Sequence, residues 1–147
     1  MLTPEGPVDR ECVEGYLFAR RPLELLLFRR PPARGHFWVP ISGKVEPSDP
    51  DLESALRREL FEETGLAHAG PFLPLDWQVR FRADNGEIWR LHAYGVEVDR
   101  AFRARLSGEH EAAEWVDPTE AVRRLHFEDN RAAVGRLLER IGRSPNV

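Results

Sequence analysis

The stretch Leu52-Glu53-Ser54-Ala55-Leu56-Arg57-Arg58-Glu59-Leu60-Phe61-Glu62-Glu63-Thr64-Gly65-Leu66 carries a leucine at every fourth position from Leu52 to Leu60. That period predicts a helix over Leu52 to Thr64, closed by Gly65, because a left-handed residue commonly ends a helix there. At about 100° per residue, Leu52, Leu56 and Leu60 span a stripe roughly 80° wide. Glu59 and Glu63 point into that stripe, Glu62 lies about 60° to one side of Glu59, and Phe61 lies nearly opposite, where a plain amphipathic helix would be polar. Carboxylates three or four residues apart repel, and partly buried ones take up protons or find a cation. A divalent metal is one such cation, and oxygen-only ligands favour magnesium, calcium or manganese over zinc. The plainer alternative is a solvated acidic face paired with Arg57 or Arg58. It leaves unexplained why two acids occupy the apolar sector.

Upstream, Val13 to Phe18 and Leu23 to Arg29 read as strands joined by a turn around Arg21 and Pro22. The second is almost continuously apolar and is expected to be buried on both faces. A loop with Pro31, Pro32 and Gly35 leads to Phe37-Trp38 and then to a turn at Ser42 and Gly43. Downstream, strands over Leu75 to Arg82 and Ile88 to Val98 flank Asp84-Asn85-Gly86, residues suited to the positive backbone angles of a hairpin turn. A short strand at Ala113 to Val116 precedes Pro118 and helices near Thr119 to Leu125 and Asp129 to Ile141. Strands with helices before and after imply an α/β sandwich.

The 147 residues, 41% of them hydrophobic, fit one domain spanning 1–147 with a proper core. A formal net charge of −4 without a basic block gives no footprint for nucleic acid. Cys12 is the single cysteine, so no intramolecular disulfide forms, and a reducing cytoplasm is the expected compartment. No segment approaches the length of a membrane span. The sequence sets no oligomeric state; a homodimer is compatible with it.

Gly43 followed by Arg58-Glu59-Leu60-Phe61-Glu62-Glu63-Thr64-Gly65-Leu66 resembles the Nudix box, G-x5-E-x7-R-E-U-x-E-E-x-G-U, with U aliphatic. The resemblance implies a Nudix-type α/β/α sandwich with a mixed central sheet, and magnesium-dependent hydrolysis of a pyrophosphate bond, with manganese as a substitute ion. The substrate would be a small nucleotide or pterin phosphate. The resemblance makes Glu59 and Glu63 metal ligands, Glu62 a third ligand or water-orienting base, the Gly43 carbonyl a further contact and Arg58 the residue that orients the carboxylates. The first half departs from the pattern. Asp49 falls where the family has glutamate, and Arg58 comes one residue late, so either Asp49 or Asp51 stands in.

Nudix enzymes often draw another ligand or base from the region of Glu109 and Glu111, and Glu109 is the candidate here; an exposed acidic loop is the plain alternative. Glu109-His110-Glu111-Ala112, Trp115, Asp117, Arg29-Arg30-Pro31, Phe37-Trp38 and Asn130-Arg131 resemble the dihydroneopterin triphosphate pyrophosphatase branch. On that reading Arg29 or Arg30 holds phosphate oxygens and Trp38 or Phe37 stacks on a flat ring. Equally, Phe37 and Trp38 are core aromatics and His110 is structural. Trp77, Trp89, Arg80 and Arg82 cannot be ranked until the face each occupies is known. A dinucleoside polyphosphate hydrolase and a non-catalytic ligand-binding module of the same fold are the competing functions.

Overall fold

The computed structural model describes residues 3–67 and 71–142. Its centre is strand β1 (Arg10–Ala19), which pairs in parallel with β6 (Ile88–Glu97). On its other edge β1 pairs antiparallel with β2 (Glu24–Arg29) through Leu17 to Ala19 and with β4 (Ile41–Lys44) through Cys12 to Gly15. Strands β3 (Trp38–Val39) and β7 (Ala112–Val116) join β2, and β5 (Leu73–Arg82) joins β6. The sheet is therefore mixed, as expected. β1 begins three residues before Val13 because β6 supplies a parallel partner as far back as the Arg10–Trp89 pair.

Alternation along the strands divides the core into two layers. Val13 and Leu17 of β1, with Leu26 and Phe28 of β2, pack with Leu56 and Leu60 of helix α1 (Leu52–Thr64). Tyr16 and Phe18, with Leu25 and Leu27, pack on the other face with Ala121 of helix α2 (Pro118–Arg124) and with Ala133, Val134 and Leu137 of helix α3 (Glu128–Gly142). β2 is thus apolar from Leu25 to Phe28 because it feeds both layers, each fully buried leucine contributing about 1.5–3 kcal/mol. The result is the expected α/β/α sandwich.

Helix α1 has the expected bounds. The Asp51 carboxylate accepts the Ser54 N–H at 2.8 Å, and Gly65, at φ 78°, donates its N–H to the Phe61 carbonyl at 2.9 Å. In the β5–β6 hairpin, Gly86 alone of Asp84-Asn85-Gly86 takes a positive φ, of 88°. Asn85 acts instead through its side chain, whose oxygen accepts the Glu87 N–H at 3.0 Å.

Candidate active site

Glu63 lies on the inner face of α1 at 3% exposure, and neither carboxylate oxygen has a hydrogen-bond partner. Burial raises its pKa most, and the neighbouring Glu109 and Glu59 carboxyls raise it further. Glu59 is also held above its ordinary value, chiefly by burial. Gly43 explains how a helix carboxylate comes so close to a strand: a Cβ on Gly43 would fall inside the Glu59 carboxyl group.

His110 Nδ1 stands 3.7 Å from Glu63 Oε1 and also has no hydrogen-bond partner. Burial pushes the imidazole down to about 4, so near neutral pH it carries no charge to offset the carboxylates. Its ring is tilted against Phe28, with centroids 5.4 Å apart. A buried acid with two idle oxygens beside two further acids fits a hard divalent cation.

Arg58 organises the outer side of this cluster. Its Nε and Nη2 donate to the two Asp49 oxygens at 3.0 and 2.7 Å, Nη1 donates to Glu59 Oε1 at 2.9 Å and Glu62 Oε1 at 3.0 Å, and Nη2 also reaches the Lys44 carbonyl. Asp49 accepts the Glu46 N–H as well, and its pKa is lowered, first by the Arg58 hydrogen bond. The two aspartates therefore divide the work: Asp49 fixes the arginine by a bidentate contact, and Asp51 caps the helix. Glu62 remains half-exposed on the Arg58 side. Among the described residues, no three His, Cys, Asp or Glu side chains already form a group that could hold a metal ion. The same Arg58 Nη1 thus holds both Glu59 and Glu62.

These groups open on a cleft of about 950 Å³ lined by Gly43, Glu59, Glu63, Glu109 and His110. Arg30, Arg34, Lys44 and Arg82 add cations to its walls, and Phe81, Trp89 and Phe127 add aromatic rings. Of the four substrate-binding candidates, Arg30 lines the cleft. Arg29 is tied to Glu111 at 2.7 Å and lies over the Trp38 ring, which packs against the α3-side core with Arg124 on it as well. Phe37 stacks on His126 with centroids 3.8 Å apart. The strand faces are now assigned: Trp89 and Arg82 reach the cleft, Trp77 lies under Arg136 of α3, and Arg80 donates to the Gly6 carbonyl. Sequence reading missed Arg34, Lys44 and Phe127, which arrive from separate loops and strands; the position of Lys44 next to Gly43 was the one local signal.

The NUDIX domain family model matches residues 13–138. The chain is 36% identical over 115 residues to an octanoyltransferase of Myxococcus xanthus, covering 76% of this chain and only 31% of that protein. It is 34% identical over 107 residues to the asymmetrical bis(5'-nucleosyl)-tetraphosphatase of Rattus norvegicus, covering 67% of this chain and 68% of that one. The dihydroneopterin triphosphate pyrophosphohydrolase of E. coli shares the fold, with a TM-score of 0.76 at 18% identity over 90% of this chain and 99% of its own. Among the described residues no helix is long and apolar enough to cross a membrane. With the box, the sandwich and the matched family model in agreement, this chain belongs to the NUDIX domain family.

Proposed function

We propose that this protein is a pyrophosphohydrolase that cleaves a pyrophosphate bond in a nucleoside or pterin di- or triphosphate, or in a nucleoside diphosphate derivative, with Mg2+ as cofactor and Mn2+ as substitute. The observation that carries this reading is Glu63, buried with both oxygens unpartnered in a cleft that Arg30, Arg34, Lys44 and Arg82 also line. Glu59 and Glu63, with the Gly43 carbonyl, would hold the ion. A bound divalent ion would neutralise phosphate oxygens and make an attacking water more acidic. Glu62 and Glu109 are the groups available to orient or deprotonate that water, and Arg58, fixed by Asp49, keeps Glu59 and Glu62 in place. Arg30, Arg34 and Lys44 offer positive charge to the phosphate chain.

A second reading, hydrolysis of dinucleoside polyphosphates, is favoured by the 34% identity to the Rattus norvegicus tetraphosphatase. One screen separates the two. Nucleoside triphosphates, dihydroneopterin triphosphate, sugar nucleotides and dinucleoside polyphosphates are incubated with magnesium or with chelator, and the products are identified. Turnover of one class is expected with magnesium, lost in chelator and restored by added ion. Full turnover in metal-free buffer sinks the mechanism, and asymmetric cleavage of a dinucleoside polyphosphate selects the second reading.

A further inference from the structure

Arg58 donates to two of the three helix carboxylates, Glu59 and Glu62, and makes no hydrogen bond to the third. Glu63 is therefore the candidate ligand without a donor of its own. Carboxylates that hold a metal ion are as a rule hydrogen-bonded in turn, because a bond to one oxygen fixes the direction of the other. Among the described residues, His110 is the one basic side chain that comes close, with Nδ1 3.7 Å from Glu63 Oε1. Both atoms are buried and both lack a hydrogen-bond partner. Buried polar atoms are nearly always paired, so two unpaired neighbours call for an explanation. Their separation exceeds an N–H···O hydrogen bond of about 2.7–3.2 Å by only about 0.5–1 Å.

The backbone holds His110 in this position. Its own N–H donates to the Ser107 carbonyl at 3.3 Å, the Glu109 N–H to Ser107 Oγ at 3.2 Å, and the Glu111 N–H to the Arg29 carbonyl at 2.8 Å. The imidazole rests against Phe28, itself fully buried, which makes packing the plainer account of this residue. Packing does not account for the nitrogen. An apolar side chain would fill the space beside Phe28 without burying an unpaired Nδ1 next to an acid. A Glu63 that binds an ion is a carboxylate and can only accept, and an Nδ1 that carries hydrogen can donate to it.

We propose that His110 is a positioning residue for Glu63, its Nδ1–H donating to Oε1 so that the other oxygen is left to the divalent ion. The proposal rests on the metal-site reading above, and it gives His110 no contact with the substrate.

The test measures the dissociation constant for Mn2+ in the full chain without substrate, by electron paramagnetic resonance of the free ion. His110→Leu and His110→Phe keep apolar bulk against Phe28 and remove the donor, whereas the side-chain amide nitrogen of His110→Asn can lie where Nδ1 does. Melting curves identify the variants that are folded at the temperature of the measurement. Removing an outer partner of a metal ligand costs about 10–100-fold in affinity, so the Leu and Phe variants are expected to bind Mn2+ at least about tenfold more weakly and His110→Asn to stay within about threefold of wild type. Packing alone predicts the reverse order, because Asn fills less of the space beside Phe28. Leu and Phe variants that bind within about twofold of wild type overturn the proposal, and so does His110→Asn binding as weakly as they do. If wild type binds no Mn2+, or Glu63→Gln binds it as tightly as wild type, the metal site itself falls and the proposal with it. The expected binding pattern with a negative substrate screen would overturn the hydrolase reading while the positioning of Glu63 stands.

Discussion

Glu14 and Glu63 are equally hidden from water, at 5% and 3% exposure, yet they sit in opposite kinds of surroundings. Glu14, on β1, accepts the Tyr16 hydroxyl and the Asn130 side-chain amide, and that amide also donates to Tyr16 Oη at 3.0 Å. Its acid is part of a hydrogen-bonded network joining the sheet to α3. Glu63 has two idle oxygens, a neutral imidazole and two more acids for company. Leaving a buried polar group unpaired costs about 1–3 kcal/mol, and more when it is charged. Burial alone therefore does not mark a functional acid. The unmet hydrogen-bonding capacity of Glu63, in a cleft, distinguishes it from an acid used for structure.

The largest expected effect is on turnover. Glu63→Gln, and likewise Glu62→Gln, is expected to lower kcat at least about a hundredfold with the circular dichroism spectrum unchanged. Glu14→Gln should stay within about threefold of wild type. Steady-state assays on the substrate identified by the screen make the comparison. If Glu63→Gln and Glu62→Gln both turn over like wild type, the contrast between the two buried acids carries no functional meaning.

Stability sharpens the contrast next. In chelator, Glu63→Gln removes a desolvated, self-repelling acid and should raise the melting temperature by a few degrees. Magnesium should invert the ranking, because the wild type binds the ion in its folded state and the variant has lost a ligand. A helix face that was only salt-bridged would give a small loss in chelator instead. A less stable variant in chelator, with both proteins shifted equally by magnesium, would remove Glu63 from the metal site.

Much of this contrast was legible in advance. The helical period alone placed Glu59 and Glu63 on the apolar face of α1, and Phe61, at 51% exposure, on the solvent side. Local signals sufficed there because a helix fixes side-chain direction over a few residues. The choice between Asp49 and Asp51 was not legible, since it depends on how the 45–50 loop folds back on Arg58. Nor was the reach of Phe127 into the cleft, which requires the start of α3 to meet the loop after β2. Glu14 escaped attention because strand alternation points it to the α3 face, and its partner Asn130 is 116 residues away along the chain. Phe37 and Trp38 read alike in sequence, yet Trp38 lies in a strand against the core and Phe37 stacks in a loop.

The smallest effect concerns Glu14 itself and depends on pH. Burial pushes its carboxyl up to about 7 from an ordinary value of 4.5, overcoming the hydrogen bonds from Tyr16 and Asn130 that favour ionisation. Because the folded pKa is raised, the folded protein keeps this proton after the unfolded chain has released its own. The stability it contributes is fully present below pH 4.5 and is lost as pH rises from there to about 7. A shift of this size corresponds to about 3 kcal/mol at most. Gln is neutral throughout, so Glu14→Gln should flatten this part of the pH dependence. Glu63 also has a raised pKa, so the measurement belongs in a Glu63→Gln background with chelator. There, melting temperature between pH 5 and 7.5 should fall by a few degrees more with Glu14 present than with Gln in its place. Parallel curves would mean that the Tyr16 and Asn130 bonds hold Glu14 ionised at little cost, and that the two buried acids differ in partners but not in the energetic consequence of burial.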